Sequence, residues 1–152
     1  MFRGINMLSM DTKGRFAVPS RYRARLQEDA DNRLVATIDT EDLCLLLYPL
    51  PVWRQIEQKI ESLPSFDRRT RRVQRLLIGH ATELDMDANG RILLPSLLRE
   101  YANLEKRIML IGQGKKFEIW DEDNWNKGRD SWLQEGIKDN DVIPEQLQDI
   151  SL

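Results

Sequence analysis

Twice in this chain an aspartate stands four residues ahead of an arginine, with a glycine just before the arginine. The two runs are Asp11-Thr-Lys-Gly14-Arg15 and Asp87-Ala-Asn-Gly90-Arg91. The chemistry open to such a group is charge recognition. An arginine carried just past a tight turn presents a planar fork of donors, which fits the O6 and N7 edge of guanine through two parallel bonds. Lys13 lies inside the first turn. Arg3, Arg21, Arg23 and Arg25 complete a basic stretch suited to holding phosphates and setting register. The same residues have a competing internal use, because Arg15 can pair with Asp11 and brace the turn. DNA contact is favoured for Arg15 and Lys13. Bracing is favoured for Asp11, Asp87, Arg99 and, against its phosphate role, Arg23. Gly14, Gly90 and Arg91 belong to the turns.

The charge balance must be read locally. The 152 residues carry a net charge of −2, yet residues 1–27 hold six Lys/Arg against one acid, and residues 116–152 hold four basic residues against ten acidic ones. Phosphate binding responds to the local field of that basic front, not to the average. A second basic patch, Arg68, Arg69, Arg71, Arg72 and Arg75, lies mid-chain. It is read either as a solvated face or as a binding surface for the acidic back of a neighbouring chain.

Other chemistries find little support. There is no Gly-rich phosphate loop, no nucleophile elbow and no cluster of metal ligands, so no enzyme, cofactor, metal or small-molecule substrate is expected. His80 is the single histidine and is read as a satisfied or exposed imidazole near a strand start. Asp85-x-Asp87-x-Asn89-Gly90 mimics half of a calcium loop, but its last ligand position is Ser96 and its flanks read as strands. The single cysteine, Cys44, cannot form an internal disulfide and fits a reducing cytoplasm. No apolar run approaches the roughly 20 residues of a spanning helix, and the opening residues do not read as a signal peptide.

The elements that must position the arginines come from a repeat at an offset of 76 residues. Met10–Arg23 and Met86–Arg99 coincide at seven of fourteen positions. Each copy reads as strand, tight hairpin turn, short apolar strand (Phe16–Val18, Ile92–Leu94), then a helix opened by Pro-Ser, with Ser20 and Ser96 as caps. Each copy continues into a strand pair: Leu34–Ile38 with Leu43–Tyr48, and Arg107–Ile111 with Lys116–Trp120. A helix follows each pair. Trp53, Ile56, Ile60 and Leu63 form one apolar face, and Trp125 and Trp132 are read as core. Asp67 caps the arginine helix, with Val73, Leu76 and Leu77 turned inward. The tail beyond Gly136 is expected to be loosely ordered, with one helical turn after Pro144. The spans are residues 5–52 and 81–124 for the copies, 53–80 for connecting helices and 125–152 for the last helix and acidic tail. The fold class is α+β and β-rich.

The pattern Asp-x-x-Gly-Arg, three residues, Pro, three residues, Arg resembles the SpoVT-AbrB family of DNA-binding domains. Asp11, Gly14, Arg15, Pro19 and Arg23 carry it in one copy, and Asp87, Gly90, Arg91, Pro95 and Arg99 in the other. The opening Met-Phe-Arg-Gly, residues 45–53 and residues 71–81 are similar to a branch of that family in which one chain holds both copies. The resemblance implies a double-split β-barrel built from the two internal repeats. It implies a homo-oligomeric ring that binds double-stranded DNA at direct repeats upstream of its own operon. It also implies a repressor of the division and cell-wall gene cluster, cytoplasmic and associated with the nucleoid. The alternative is an oligomeric interaction scaffold or an antitoxin-like partner binder. The less basic second copy (Leu97-Leu98 for Arg21-Tyr22, Asn89 for Lys13) is expected to serve the barrel or subunit contacts more than DNA.

Overall fold

The computed structural model describes residues 1–136 and 144–150. They divide into a unit spanning Met1–Glu122 and a smaller one from Asp123 onward. The first unit is α+β, with antiparallel pairing throughout. Its strands are β1 (Phe2–Ser9), β2 (Arg15–Ala17), β3 (Arg33–Ile38), β4 (Leu45–Pro49), β5 (Thr82–Asp85), β6 (Arg91–Leu93), β7 (Arg107–Gly114) and β8 (Phe117–Asp121). Six of them form one sheet in the order β1-β7-β8-β4-β3-β5, while β2 and β6 form a separate two-stranded ribbon.

The apolar runs explain the sheet. β4 is buried along its whole length and β3 at every residue after Arg33, so both faces of the sheet are covered there. On one face Leu34, Ala36, Ile38, Leu45, Leu47, Ile108, Leu110, Phe117 and Ile119 belong to the main core. The ribbon fills that core from above with Phe16 and Ile92, which face each other in register. Burying a side chain of that size contributes roughly 1.5–3 kcal/mol. Helices α1 (Ser20–Ala30) and α4 (Ser96–Tyr101) add Tyr22, Leu26 and Leu98. On the opposite face Val35, Leu46 and Tyr48 meet Leu50 and Trp53 of α2 (Leu50–Glu61).

The strand pairs β3–β4 and β7–β8 form as expected. The expected hairpins do not. Each Asp-Gly turn is closed by its own bonds, Asp11 N–H to the Arg15 carbonyl (2.9 Å) and Asp87 N–H to the Arg91 carbonyl (2.9 Å). The strands on either side then separate. β1 runs beside β7 and β5 beside β3, whereas β2 and β6 pair with each other across the two copies. A three-residue strand gains more by burying Phe16 against its repeat-mate Ile92 than by continuing its own hairpin.

Three smaller expectations are corrected. Ser20 and Ser96 are first helical residues, not caps. Pro19 and Pro95 hold the cap positions, extended at ψ 139° and 148°, and their carbonyls accept the first intrahelical bonds. Leu63 lies beyond the end of α2 and is 43% exposed, because it precedes Pro64, which disfavours helical backbone at that residue. In α5 (Glu122–Glu135) no residue is buried, and Trp125 and Trp132 pack on each other with ring centres 5.7 Å apart. Seven residues apart, the two rings lie on one face of the helix with Gly128 between them against Trp132, and each covers part of the other.

The arginine segment is as anticipated. Asp67 caps α3 (Arg68–Val73) by accepting from the Arg69 N–H at 2.8 Å. A wider π-helical turn over Gln74–Ile78 follows, and the Leu77 carbonyl there accepts from the buried Thr37 hydroxyl at 2.7 Å. The Leu76 carbonyl lies 2.8 Å from His80 Nδ1, which satisfies that imidazole. A helical turn after Pro144 is present as α6 (Glu145–Gln148). The rest of the expectation for the tail, over residues 137–143 and 151–152, falls outside the described residues. Among the described residues no helix is long and apolar enough to cross a membrane.

Gly14 tests the crossing. Its φ is +93°, and an added Cβ would lie 2.6 Å from Arg99 Nε and 2.8 Å from the Leu94 carbonyl oxygen of the other copy. Strained backbone and overlap act together, so Gly14→Ala is expected to cost about 2–4 kcal/mol. Urea unfolding of the variant beside the parent chain measures it; equal midpoints would contradict the crossed packing.

Candidate nucleic-acid interface

The ribbon orients the arginines. Side chains alternate along a strand, so burying Phe16 and Ile92 on the core side turns their neighbours outward. In register, Arg15 stands across from Leu93, and Ala17 across from Arg91. Each end of the outward face therefore carries one motif arginine, related to the other by an approximate twofold axis through the Phe16–Ile92 pair.

Each arginine is aimed by its own turn. Asp11 Oδ1 accepts the backbone N–H of Lys13 and of Arg15, both at 2.9 Å, and Oδ2 takes Arg15 Nε at 2.9 Å. The second copy repeats the two backbone bonds with Asp87, Asn89 and Arg91, but Arg91 Nε stands 3.5 Å from Asp87 Oδ2, an ion pair without a hydrogen bond. The backbone N–H of Arg15, with further help from Arg15 and Lys13, holds the Asp11 carboxyl below the usual aspartate range; the backbone N–H of Arg91 does the same for Asp87. Both carboxylates stay charged at neutral pH and fix the turns. Arg15 bonds Asp11 through Nε, and its side chain remains 37% exposed. Bracing and outward recognition are thus compatible: the ion pair directs the guanidinium while the chain end faces solvent.

The other basic residues divide. Arg3 and Ser9 are six residues apart on β1, roughly 20 Å of extended strand, so the Arg3 end is remote from Lys13 and Arg15. There Arg3, Arg21 and Arg25 line a cleft of about 410 Å³ with Met1, Phe2, Gly4 and Tyr22. Arg21 Nη2 donates to Asn6 Oδ1 and, at 3.0 Å, to the Tyr22 hydroxyl, with its guanidinium over the Tyr22 ring. The Tyr22 hydroxyl in turn donates to the Arg3 carbonyl at 2.5 Å. Arg25 pairs with Asp29 on an exposed helix face at 3.1 Å, a contact worth little in water.

Arg23 is placed differently from a phosphate contact. Its Nε donates to the Val18 carbonyl at 2.7 Å, and its guanidinium lies against Gly90 of the other copy. Arg99 mirrors it, donating to the Leu94 carbonyl at 3.0 Å and covering Gly14. Sequence reasoning missed this exchange, as it missed the Asn6–Arg21–Tyr22 network. The one available signal was Asn6, a polar residue between Ile5 and Met7 in a strand.

These features define a class: a single chain whose two turn-bearing copies cross-pair into an arginine-bearing ribbon on a six-stranded sheet. The MraZ family model, described as "MraZ protein, putative antitoxin-like", matches twice, over residues 1–76 and 77–140. The chain is 54% identical over all 152 residues to the transcriptional regulator MraZ of Coxiella burnetii (strain RSA 493 / Nine Mile phase I), covering 100% of both chains. It is 53% identical, with the same full coverage, to that of Legionella pneumophila (strain Corby). It is 60% identical over 135 residues, 89% of each chain, to that of Thioalkalivibrio sulfidiphilus (strain HL-EbGR7). The chain belongs to the MraZ family.

Because Arg23 holds backbone, Arg23→Ala is expected to lose about 1–3 kcal/mol of stability. The salt dependence of DNA binding should stay as it is. Arg25→Ala should do the reverse, lowering the slope of log K against log salt by about one. Urea titrations paired with anisotropy over a salt series distinguish the two.

Proposed function

We propose that the chain is a sequence-specific DNA-binding transcriptional regulator that reads DNA with the outward face of the β2–β6 ribbon. The observation that carries this reading is the ribbon itself, two strands wide, with Arg15 held by Asp11 on its solvent side. A two-stranded ribbon fits the major groove, where arginine discriminates guanine. Lys13, in the turn beside Arg15, contacts the flanking phosphate. Arg3, Arg21 and Arg25 hold phosphates farther along the duplex. The relatives' description as transcriptional regulators supports this reading.

The finer parts follow the family. The crossed sheets are the double-split barrel of a fused pseudo-dimer. The protein acts as a cytoplasmic, nucleoid-associated repressor at direct repeats upstream of its own operon, in the division and cell-wall gene cluster. Several copies in a homo-oligomeric ring bind together, so weak single contacts gain from effective concentration. The four-arginine concavity of Arg68, Arg69, Arg72 and Arg75 against an acidic C-terminal segment supports a charge-paired contact between copies.

Fluorescence anisotropy on DNA from the protein's own upstream region, with a scrambled control across a salt series, tests the reading. Wild type should prefer the native sequence and weaken steeply with salt. Arg15→Ala should lose about 1–3 kcal/mol of that preference while keeping most of the salt slope. Absence of binding to either DNA at low salt sinks the proposal. Sedimentation on the same samples checks the ring: a monomer with full operator affinity would remove the avidity argument.

A further inference from the structure

Leu93 is an apolar side chain set among the recognition residues. It lies directly across from Arg15 in the ribbon and is 52% exposed. Directly opposed residues of an antiparallel pair point to the same side, with Cβ atoms about 4.5–5.5 Å apart. The core does not require this leucine, because its neighbours Ile92 and Leu94 are buried and fill the interior. The corresponding position in the first copy is Ala17, which stands across from Arg91. One end of the ribbon thus combines Lys13, Arg15 and a leucine; the other combines Asn89, Arg91 and an alanine.

Isolated exposed leucines are common and need no explanation. This one shares its strand face and its register position with the residue that reads DNA in the proposed function. The major groove offers one apolar group to such a side chain, the 5-methyl of thymine. We infer that Leu93 is a specificity residue that packs on a thymine 5-methyl in a base pair neighbouring the guanine bound by Arg15. The inference rests on the ribbon occupying the major groove. Alanine at the opposite end is too short to make the same contact at equal ribbon depth, so Leu93 also fixes which way the ribbon lies along the duplex.

The test uses the full chain and duplexes from its own upstream region, with each thymine replaced in turn by deoxyuridine, which lacks only the methyl. At one thymine per repeat, wild type should bind the deoxyuridine duplex roughly fourfold more weakly, the worth of one methyl-sized group returned to water. Leu93→Ala should bind the thymine duplex no more tightly than that, and should no longer distinguish the two. The inference is overturned if no thymine matters to wild type, or if Leu93→Ala keeps the thymine preference. It is also overturned if Leu93→Ala leaves binding intact but changes the sedimentation coefficient, which would make Leu93 a contact between copies. Salt-sensitive preference for the upstream DNA without any methyl dependence removes Leu93 alone. Loss of that preference in wild type removes the DNA reading with it.

Discussion

The reciprocal contact between each copy's glycine turn and the other copy's helix-borne arginine is the constraint on which the rest depends. Arg99 covers Gly14 while the Gly14 carbonyl accepts the Leu94 N–H at 2.9 Å; Arg23 covers Gly90 while the Gly90 carbonyl accepts the Val18 N–H at 2.8 Å. These contacts set the register of β2 on β6. A one-residue slip would put Phe16 and Ile92 on opposite faces of the ribbon, turning one of them to solvent and the motif arginine of the same strand toward the core. The outward direction of Arg15 is therefore a consequence of backbone packing some residues away. Arginine is suited to the covering role because it can bond a carbonyl through Nε and lay its flat guanidinium over a residue without a side chain.

Features with a local cause were legible in the sequence. The Asp-Gly turns, the β3–β4 and β7–β8 pairs, the Asp67 cap and the Trp53 face of α2 each follow from residues within a few positions of one another. The partner of β2 was not legible. Three residues carry no register of their own, and Phe16 finds its mate Ile92 at a separation of 76 positions. The same non-locality hid the partner of Arg23: an internal bracing role was favoured for it, but its place over Gly90 of the other copy shows only once the two copies cross. Trp125 and Trp132 misled for a different reason: tryptophan is a strong prior for burial, but in α5 no residue is buried and the two rings pack on each other.

The crossing also changes what the two copies mean. A division of labour in which the first copy meets DNA and the second serves the barrel does not map onto separate surfaces, since each end of the ribbon is assembled from both. The turn of the first copy adjoins the strand end of the second, and the reverse holds at the other end. The basic cleft of Arg3, Arg21 and Arg25 belongs to the first copy alone, but it lies toward the far end of β1 from the Arg15 turn.

Differences between the copies are distributed by surface. The inward equivalents, Phe16 with Ile92, Val18 with Leu94 and Tyr22 with Leu98, are all buried and apolar or aromatic. Lys13 with Asn89, Ala17 with Leu93 and Arg21 with Leu97 differ in charge or reach, and apart from Arg21 none is tied to the interior by a bond described above. Two identical chains would give a ribbon with true twofold symmetry, and such a ribbon matches DNA that reads the same in both directions. Fusing both copies into one chain removes that restriction. The core must still satisfy the approximate twofold axis, because both halves pack on one sheet, while the outward positions are free to diverge. A ribbon with Lys13, Arg15 and Leu93 at one end and Asn89, Arg91 and Ala17 at the other has a direction, which is what the proposed reading of direct repeats, sites all in one orientation, would require.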